Sequence, residues 1–285
     1  MSKEWMLSAA AGMLILAGCT PTLITPTNVC PGKRSVNEAL AALQRNAQNM
    51  APFQAGGDCL IEYYPEGKSK PSKENLVVTP LLVEPPANMY FQGDKVGIAR
   101  AMILGSNEQE FWLAIRPEIS FYVWGQWSEQ ETSDGPMINP RTLLEALGVG
   151  DIDTNEDWSL SNKGAYDILT KRERGVIAKK IHIFSCDYRV RKIEFFDSNG
   201  RVAAVTQLDR YEEVTEGFHI PALIKVTTYS QTERDKPFTI TVSLRHLRPK
   251  KITKPLRDYY FTRRPPDGFK NVGRIVNGEL IDESQ

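Results

Sequence analysis

What most constrains this chain is a succession of short apolar or β-branched runs, each closed by turn residues. Six of them fall between Cys59 and Trp124: Cys59–Tyr64, Leu76–Val83, Asn88–Asp94, Ile98–Leu104, Glu110–Arg116 and Ile119–Trp124. Pro65-Glu66-Gly67 and Gly105-Ser106-Asn107 supply turns between them. Short strands at near-regular spacing predict an antiparallel meander. Five further runs follow: Val176–Cys186, Val190–Phe196, Val202–Asp209, Ile220–Tyr229 and Phe238–Leu247. Asn199-Gly200 joins two of these and predicts a tight hairpin, because both residue types accept positive φ. In the last run Phe238, Ile240, Val242 and Leu244 alternate with Thr239, Thr241, Ser243 and Arg245. Such alternation gives a strand one buried face and one wet face.

Helical signals are fewer. Ser35 with Glu38 three residues on is a capping-box pattern, and Val36, Leu40, Leu43 and Ala47 then recur at helical spacing. Pro52 ends that helix. A second helix is expected from Pro140, with Leu143, Leu144 and Leu147 as its apolar stripe and Gly148 at its end. Residues 125–139 read as an exposed loop. Residues 151–163 read as irregular, anchored by Trp158 and Leu160, and 164–174 as a helical turn or a further strand. Residues 248–285 are rich in proline and charge and are expected to form a loose, basic tail outside the domain.

The N-terminus carries a different signal. Lys3 precedes an apolar stretch from Met6 to Ala17. That stretch is too short to span a bilayer, which takes about 20 residues, and it has the shape of a secretory signal over residues 1–18. Leu16-Ala17-Gly18-Cys19 matches the bacterial lipobox. The match implies cleavage before Cys19 and a diacylglyceryl group on its thiol, and two acyl chains suffice for stable anchoring. Residues 19–34, with Pro21, Pro26, Pro31 and Gly32, then read as a lipidated tether, and 35–247 as the folded domain. Thr20 stands where Asp is the usual inner-membrane retention residue in enterobacteria. The expected site is therefore the outer membrane, facing the periplasm.

Export permits disulfides. With Cys19 assigned to lipid, Cys30, Cys59 and Cys186 remain. Cys30 precedes the first helix and Cys59 lies in the first strand, so a bridge between them would staple helix to sheet; two unpaired thiols are the alternative. Cys186 reads as a buried small hydrophobe.

Charge and motif searches exclude several functions. The chain holds 35 Lys and Arg against 35 Asp and Glu, which gives nucleic-acid binding no support. No Gly-x-Ser-x-Gly elbow, phosphate loop or Cys-x-x-Cys pair occurs. His182, His219 and His246 lack metal-ligand spacing. The chain reads as a non-enzyme that needs no cofactor and no metal. Phe111, Trp112, Phe121, Tyr122, Trp124 and Trp127 are concentrated in two adjacent runs. Strand aromatics fill a core or line a dry cavity that accepts hydrocarbon; both readings stay open. By alternation, Phe111, Leu113 and Ile115 share one face, opposite Glu110, Trp112, Ala114 and Arg116. Ile98, Met102 and Leu104 form a matching face on the preceding run, with Arg100 set among them. These six apolar residues are the candidate hydrophobic-ligand pocket. The basic run from Arg245 to Arg264 is either a solvated face or an attractor for anionic headgroups or envelope polymers, at about 1 kcal/mol per basic residue near an anionic surface.

Three stretches carry a family resemblance: Ala87-Asn88-Met89-Tyr90-Phe91-Gln92-Gly93, Leu104-Gly105-Ser106-Asn107-Glu108-Gln109-Glu110-Phe111-Trp112-Leu113, and Tyr122-Val123-Trp124-Gly125. Together with the element order, they resemble the LolA and LolB superfamily of periplasmic lipoprotein carriers, specifically LolA-like lipoproteins of planctomycete type. The resemblance covers residues 37–247. It implies an α+β fold: a half-open antiparallel β-barrel of about eleven strands with helices covering the concave face. It also implies an apolar cavity for an acyl chain, a lipid or a lipoprotein anchor. The partners would be the membrane, through the N-terminal lipid, and that hydrophobic ligand. The alternative is a structural lipoprotein with a filled core that scaffolds an envelope complex.

Overall fold

A computed structural model describes residues 29–65, 67–116, 120–129, 144, 147, 156–230, 233–264, 267–277 and 279–283. The signal, Cys19 and most of the tether lie outside the described residues, as does most of the helix expected from Pro140.

The described residues are almost entirely β. Helix α1 (Val36–Gln48) leads into β1 (Phe53–Tyr63), β2 (Ser72–Glu84), β3 (Asn88–Lys95), β4 (Ile98–Ser106), β5 (Glu110–Ile115) and β6 (Phe121–Gln126). A second series follows: β7 (Asp157–Lys163), β8 (Tyr166–Glu173), β9 (Val176–Phe184), β10 (Val190–Phe196), β11 (Val202–Thr215), β12 (Phe218–Thr228) and β13 (Phe238–Pro249). Helix α2 (Lys254–Tyr260), β14 (Asn271–Val276) and β15 (Glu279–Asp282) complete the chain. All fifteen strands belong to one open sheet, in the order β15-β14-β6-β5-β4-β3-β2-β1-β13-β12-β11-β10-β9-β8-β7. Two meanders, β1–β6 and β7–β13, therefore meet along the antiparallel β1–β13 pair.

Local chemistry accounts for several elements. The Ser35 side chain accepts the Glu38 N–H at 3.2 Å, and the Glu38 carboxylate accepts the Arg34 N–H at 3.1 Å. This caps α1 much as the expected box would, with Glu38 reaching one residue further back. Pro80 sits inside β2 where the register with β3 shifts between Val78 and Leu81, a bulge being where a sheet tolerates proline. In the hairpin of β10 and β11, Gly200 takes φ +72°. The buried Asp197 carboxylate accepts N–H bonds there from Asn199 at 3.0 Å and Arg201 at 2.8 Å.

Helix α1 packs against β7, β8 and β12. It touches these strands more than β9–β11, which lie between them, so the sheet curves around α1. Leu40 and Leu43 join Leu169, Ile181, Ile183 and Ile193 in one apolar cluster on this inner face. Val190 packs against both that cluster and a larger one formed by β1–β6 and β11–β13.

Four expectations need correction. The sheet has fifteen strands rather than about eleven: β7 occupies a region read as irregular, β8 takes the strand alternative left open for 164–174, and β14 and β15 come from the expected tail. The tail is accordingly part of the fold. It crosses the outer face, where Phe261 packs with Leu82 and Tyr90, and Phe269 and Val272 pack with Trp112, Ala114 and Tyr122. It then pairs β14 parallel to β6. Helix α2, within that tail, lies on the outer side, whereas α1 lies on the inner side. Finally, Cys30 is bonded to Cys186, not to Cys59. Cys186 is exposed in the turn after β9, beside Cys30, whereas Cys59 points into the inner core and is free. No described helix is long and apolar enough to cross a membrane.

Candidate functional site

Strand registers place the six candidate residues. Leu81, Phe91, Leu104, Leu113 and Val123 stand directly opposite one another on β2 to β6, forming one unbroken apolar row across the inner face. Met102 pairs with Ile115, and Phe111 with Ser106. Met102, Leu104, Phe111 and Leu113 are buried in the larger cluster, and Ile98 and Ile115 are half-buried against it. The structure thus gathers all six on one face. Leu144 and Leu147 pack into the same cluster. The Phe111 ring lies 4.6 Å from Trp127, whose indole N–H donates to the Asn107 carbonyl at 2.8 Å.

Arg100 does not share this face. Its φ is +56°, so the alternation of β4 breaks at that point and both Ala101 and Met102 reach the inner cluster. The Arg100 N–H donates to Asp94 at 2.6 Å, which pins the bulge and turns the guanidinium to the outer face. Strict period-two reading misplaces a residue wherever a bulge adds one.

The part of the inner face formed by β1–β6 is chemically bland. Cys59 is the one ionisable side chain among the buried residues of its larger cluster, and burial pushes its thiol up to about 12, so it stays protonated. Such a surface offers dispersion and apolar burial. Each methylene removed from water against it contributes about 0.8 kcal/mol. Among the described residues no group of three His, Cys, Asp or Glu is placed to hold a metal ion. His182 bonds Glu194 at 2.6 Å on strands β9 and β10, away from this row.

Sequence reasoning missed the second buried face of β5 and β6. Trp112, Ala114 and Tyr122 are as buried as Phe111 and Leu113. The signal was present: Phe111-Trp112-Leu113-Ala114-Ile115 is an unbroken apolar run, and strands covered on both faces read that way.

No protein-family model matches the chain, and no curated protein matches it. Solved structures match its architecture. A DUF1329 family protein from Desulfovibrio piger superposes with a TM-score of 0.53 at 12% identity, covering 81% of this chain and 98% of the other. A domain from Vibrio parahaemolyticus, described as an outer membrane lipoprotein-sorting protein, gives 0.52 at 12% identity, covering 78% and 95%. The chain has the LolA-like fold. A LolA superfamily protein from Nitrosomonas europaea is also similar, at TM-score 0.49, 12% identity and coverage of 81% and 99%. In the LolA-like fold of this chain, the curved sheet carries its apolar row on the side that faces α1.

Proposed function

We propose that this chain is a lipid-anchored envelope protein that holds an acyl chain, a lipid or a lipoprotein anchor against its inner face. The observation that carries the reading is the in-register row Leu81, Phe91, Leu104, Leu113 and Val123 on a LolA-like fold. A continuous apolar strip suits an extended hydrocarbon chain, because it binds by area and leaves no polar group unpaired. The anchor is the lipid on Cys19, and the location is the outer membrane, facing the periplasm. In this reading the protein is a binding module, not an enzyme, and uses no cofactor.

One observation favours a second reading, a scaffold with a filled core: Leu144 and Leu147 already pack against the row. Two measurements separate the readings. Fluorescent fatty acid titrated into the parent protein should bind, and Leu113→Gln should weaken that binding more than it lowers the unfolding free energy. In a filled core, Leu113→Ala should instead cost about 2–5 kcal/mol, and the parent should bind no fatty acid; that result would overturn the carrier reading. Cys19→Ala should release the protein from membranes, and unchanged fractionation would remove the anchor from the proposal.

A further inference from the structure

The returning C-terminal chain does not close the outer face evenly. Between β3–β6 and Tyr259, Thr262, Arg264, Asp267 and Phe269 lies a groove of about 160 Å³, far above the roughly 10–15 Å³ that one water needs. Trp112 and Tyr122 form its floor. The Trp112 indole lies against Gly105, where a Cβ would come 2.3 Å from the ring, so only glycine admits it there.

Three arginines border the groove: Arg100, Arg116 and Arg264. Other arginines of the same region each hold a carboxylate, Arg257 with Glu84, Arg263 with Glu110 and Arg274 with Glu129. Among the described residues, none of the three groove guanidiniums forms an ion pair with a carboxylate, although Asp94, which accepts the Arg100 N–H, attracts Arg100. Arg100 donates to the Tyr259 hydroxyl at 2.8 Å, Arg116 to the Arg100 carbonyl at 3.3 Å, and the Arg264 guanidinium stacks 4.4 Å from the Tyr259 ring. Among the described residues Asp267 is the one carboxylate in the lining, so the lining side chains carry a surplus of two positive charges, with Asp94 attracting Arg100 from beside the groove. Cations gathered with less than matching counter-charge repel one another unless an anion joins them.

Their placement is built into the fold. Arg100 reaches the groove through its left-handed backbone, a conformation that costs a non-glycine residue energy and persists only where surrounding bonds impose it. Asp94 imposes it, itself fixed by the Thr79 hydroxyl and by Gln92 at 2.9 Å. Arg264 is set by the Tyr122 hydroxyl, which donates to its carbonyl at 2.8 Å.

We propose that this outer-face groove is an anion site for a phosphate monoester dianion, with Arg100, Arg116 and Arg264 as its donors. Guanidinium forks match phosphate oxygens two at a time, and a dianion balances the surplus of two where a carboxylate balances half of it. The aromatic floor lowers the local dielectric and strengthens each contact. The dianion can belong to free phosphate or to a phosphomonoester lipid headgroup. The site is on the opposite side of the sheet from the apolar row and does not depend on the carrier reading.

The test is calorimetric titration of the full chain, in zwitterionic detergent, with inorganic phosphate, glycerol 3-phosphate and acetate. Flotation with phosphatidylcholine vesicles, with and without phosphatidic acid, forms the second arm. Phosphate and glycerol 3-phosphate should bind more tightly than acetate. Arg116→Gln and Arg264→Gln should each weaken binding by about tenfold or more, and Arg264→Lys by less than Arg264→Gln. Arg245→Gln, which removes a cation paired with Asp58 elsewhere, should change nothing. Both groove variants are at exposed positions, and unchanged unfolding temperatures without phosphate will show that they fold. Binding by the phosphatidic acid vesicles alone assigns the headgroup as the source; binding by the small phosphates alone assigns a soluble one. Acetate binding as tightly as phosphate, affinities unchanged in the Gln variants, or no binding by any probe would overturn the proposal.

Discussion

Removing the Cys30–Cys186 bridge should destabilise the protein through its unfolded state. The bridge joins positions 156 residues apart. In the chain-entropy model a loop of that length contributes about 5 kcal/mol at 25 °C, and measured bridges typically contribute about 2–4. The native state has little reason to change. Residues 30–33 stay held by the Lys33 N–H on Asp167 at 2.8 Å, by Asn162 on the Lys33 carbonyl at 3.3 Å, and by Ser185 on the Cys30 carbonyl at 3.0 Å. Cys186 is exposed, so a serine there opens no cavity. Urea unfolding of Cys30→Ser, Cys186→Ser and the double variant should give the same loss, about 2–5 kcal/mol, since each breaks the same bond and the coupling energy equals the whole effect. The urea slope should rise together in all three, because the freed unfolded chain exposes more surface. Alkylation of the unreduced protein should label Cys59 only after unfolding. Matching losses in Cys30→Ser and Cys59→Ser, with Cys186→Ser near neutral, would refute the pairing.

Gly200→Val should cost about 1–2 kcal/mol, read from urea midpoints, because φ is +72° with open space around the missing side chain; an unchanged midpoint would show that the hairpin relaxes freely. Acid should weaken the β9–β10 pair. Burial pushes His182 below its ordinary value, with Lys192 and Lys180 adding to the push against the bond to Glu194, and the bonds from His182 and Lys192 outweigh burial in holding Glu194 low. Both groups bind protons more readily when unfolded. The His182 contribution is therefore complete above the ordinary value of about 6.5 and is lost as pH falls through the lowered one. His182→Gln should flatten the fall in unfolding midpoint between about pH 7.5 and 5.5, and an unaltered slope would contradict the assignment.

Strand existence was legible because the residues that close each run also end each strand. Alternation in Phe238 to Leu244 and in Phe111 to Ile115 identified inner-face residues that the structure buries together. Bulges were not legible. Nothing in Ile98-Ala99-Arg100-Ala101 announces that Asp94, six residues upstream, captures the Arg100 N–H and reverses the side chain. The C-terminal return was hidden by its composition. Ile252, Tyr260, Phe261, Phe269 and Val272 are spaced irregularly among lysines, arginines and prolines, so no period marks them, yet each packs in the outer-face clusters. Several of the basic residues that looked like a solvated run are ion-paired on the sheet. Proximity in sequence also misdirected the cysteines: Cys59 is nearer to Cys30 along the chain, but the curve of the sheet around α1 brings the β9–β10 turn to the start of the helix.

One sheet thickness separates the two proposed sites, and that gives them a joint test. Leu113 and Trp112 are neighbours on β5, but their side chains enter the inner and outer clusters respectively. Coupling between them would have to pass through the backbone of β4–β6, which is fixed by continuous pairing on both edges. Effects at sites that share no partner add within about 0.3–0.5 kcal/mol. Leu113→Gln should therefore leave phosphate affinity within about twofold of the parent, and Arg264→Gln should leave fatty-acid affinity equally unmoved. Titrating each ligand into both single variants and the double variant measures the coupling directly. A phosphate affinity that falls tenfold in Leu113→Gln, while the variant keeps the parent unfolding temperature, would mean that the faces act as one site and that the separation argued from alternation is wrong.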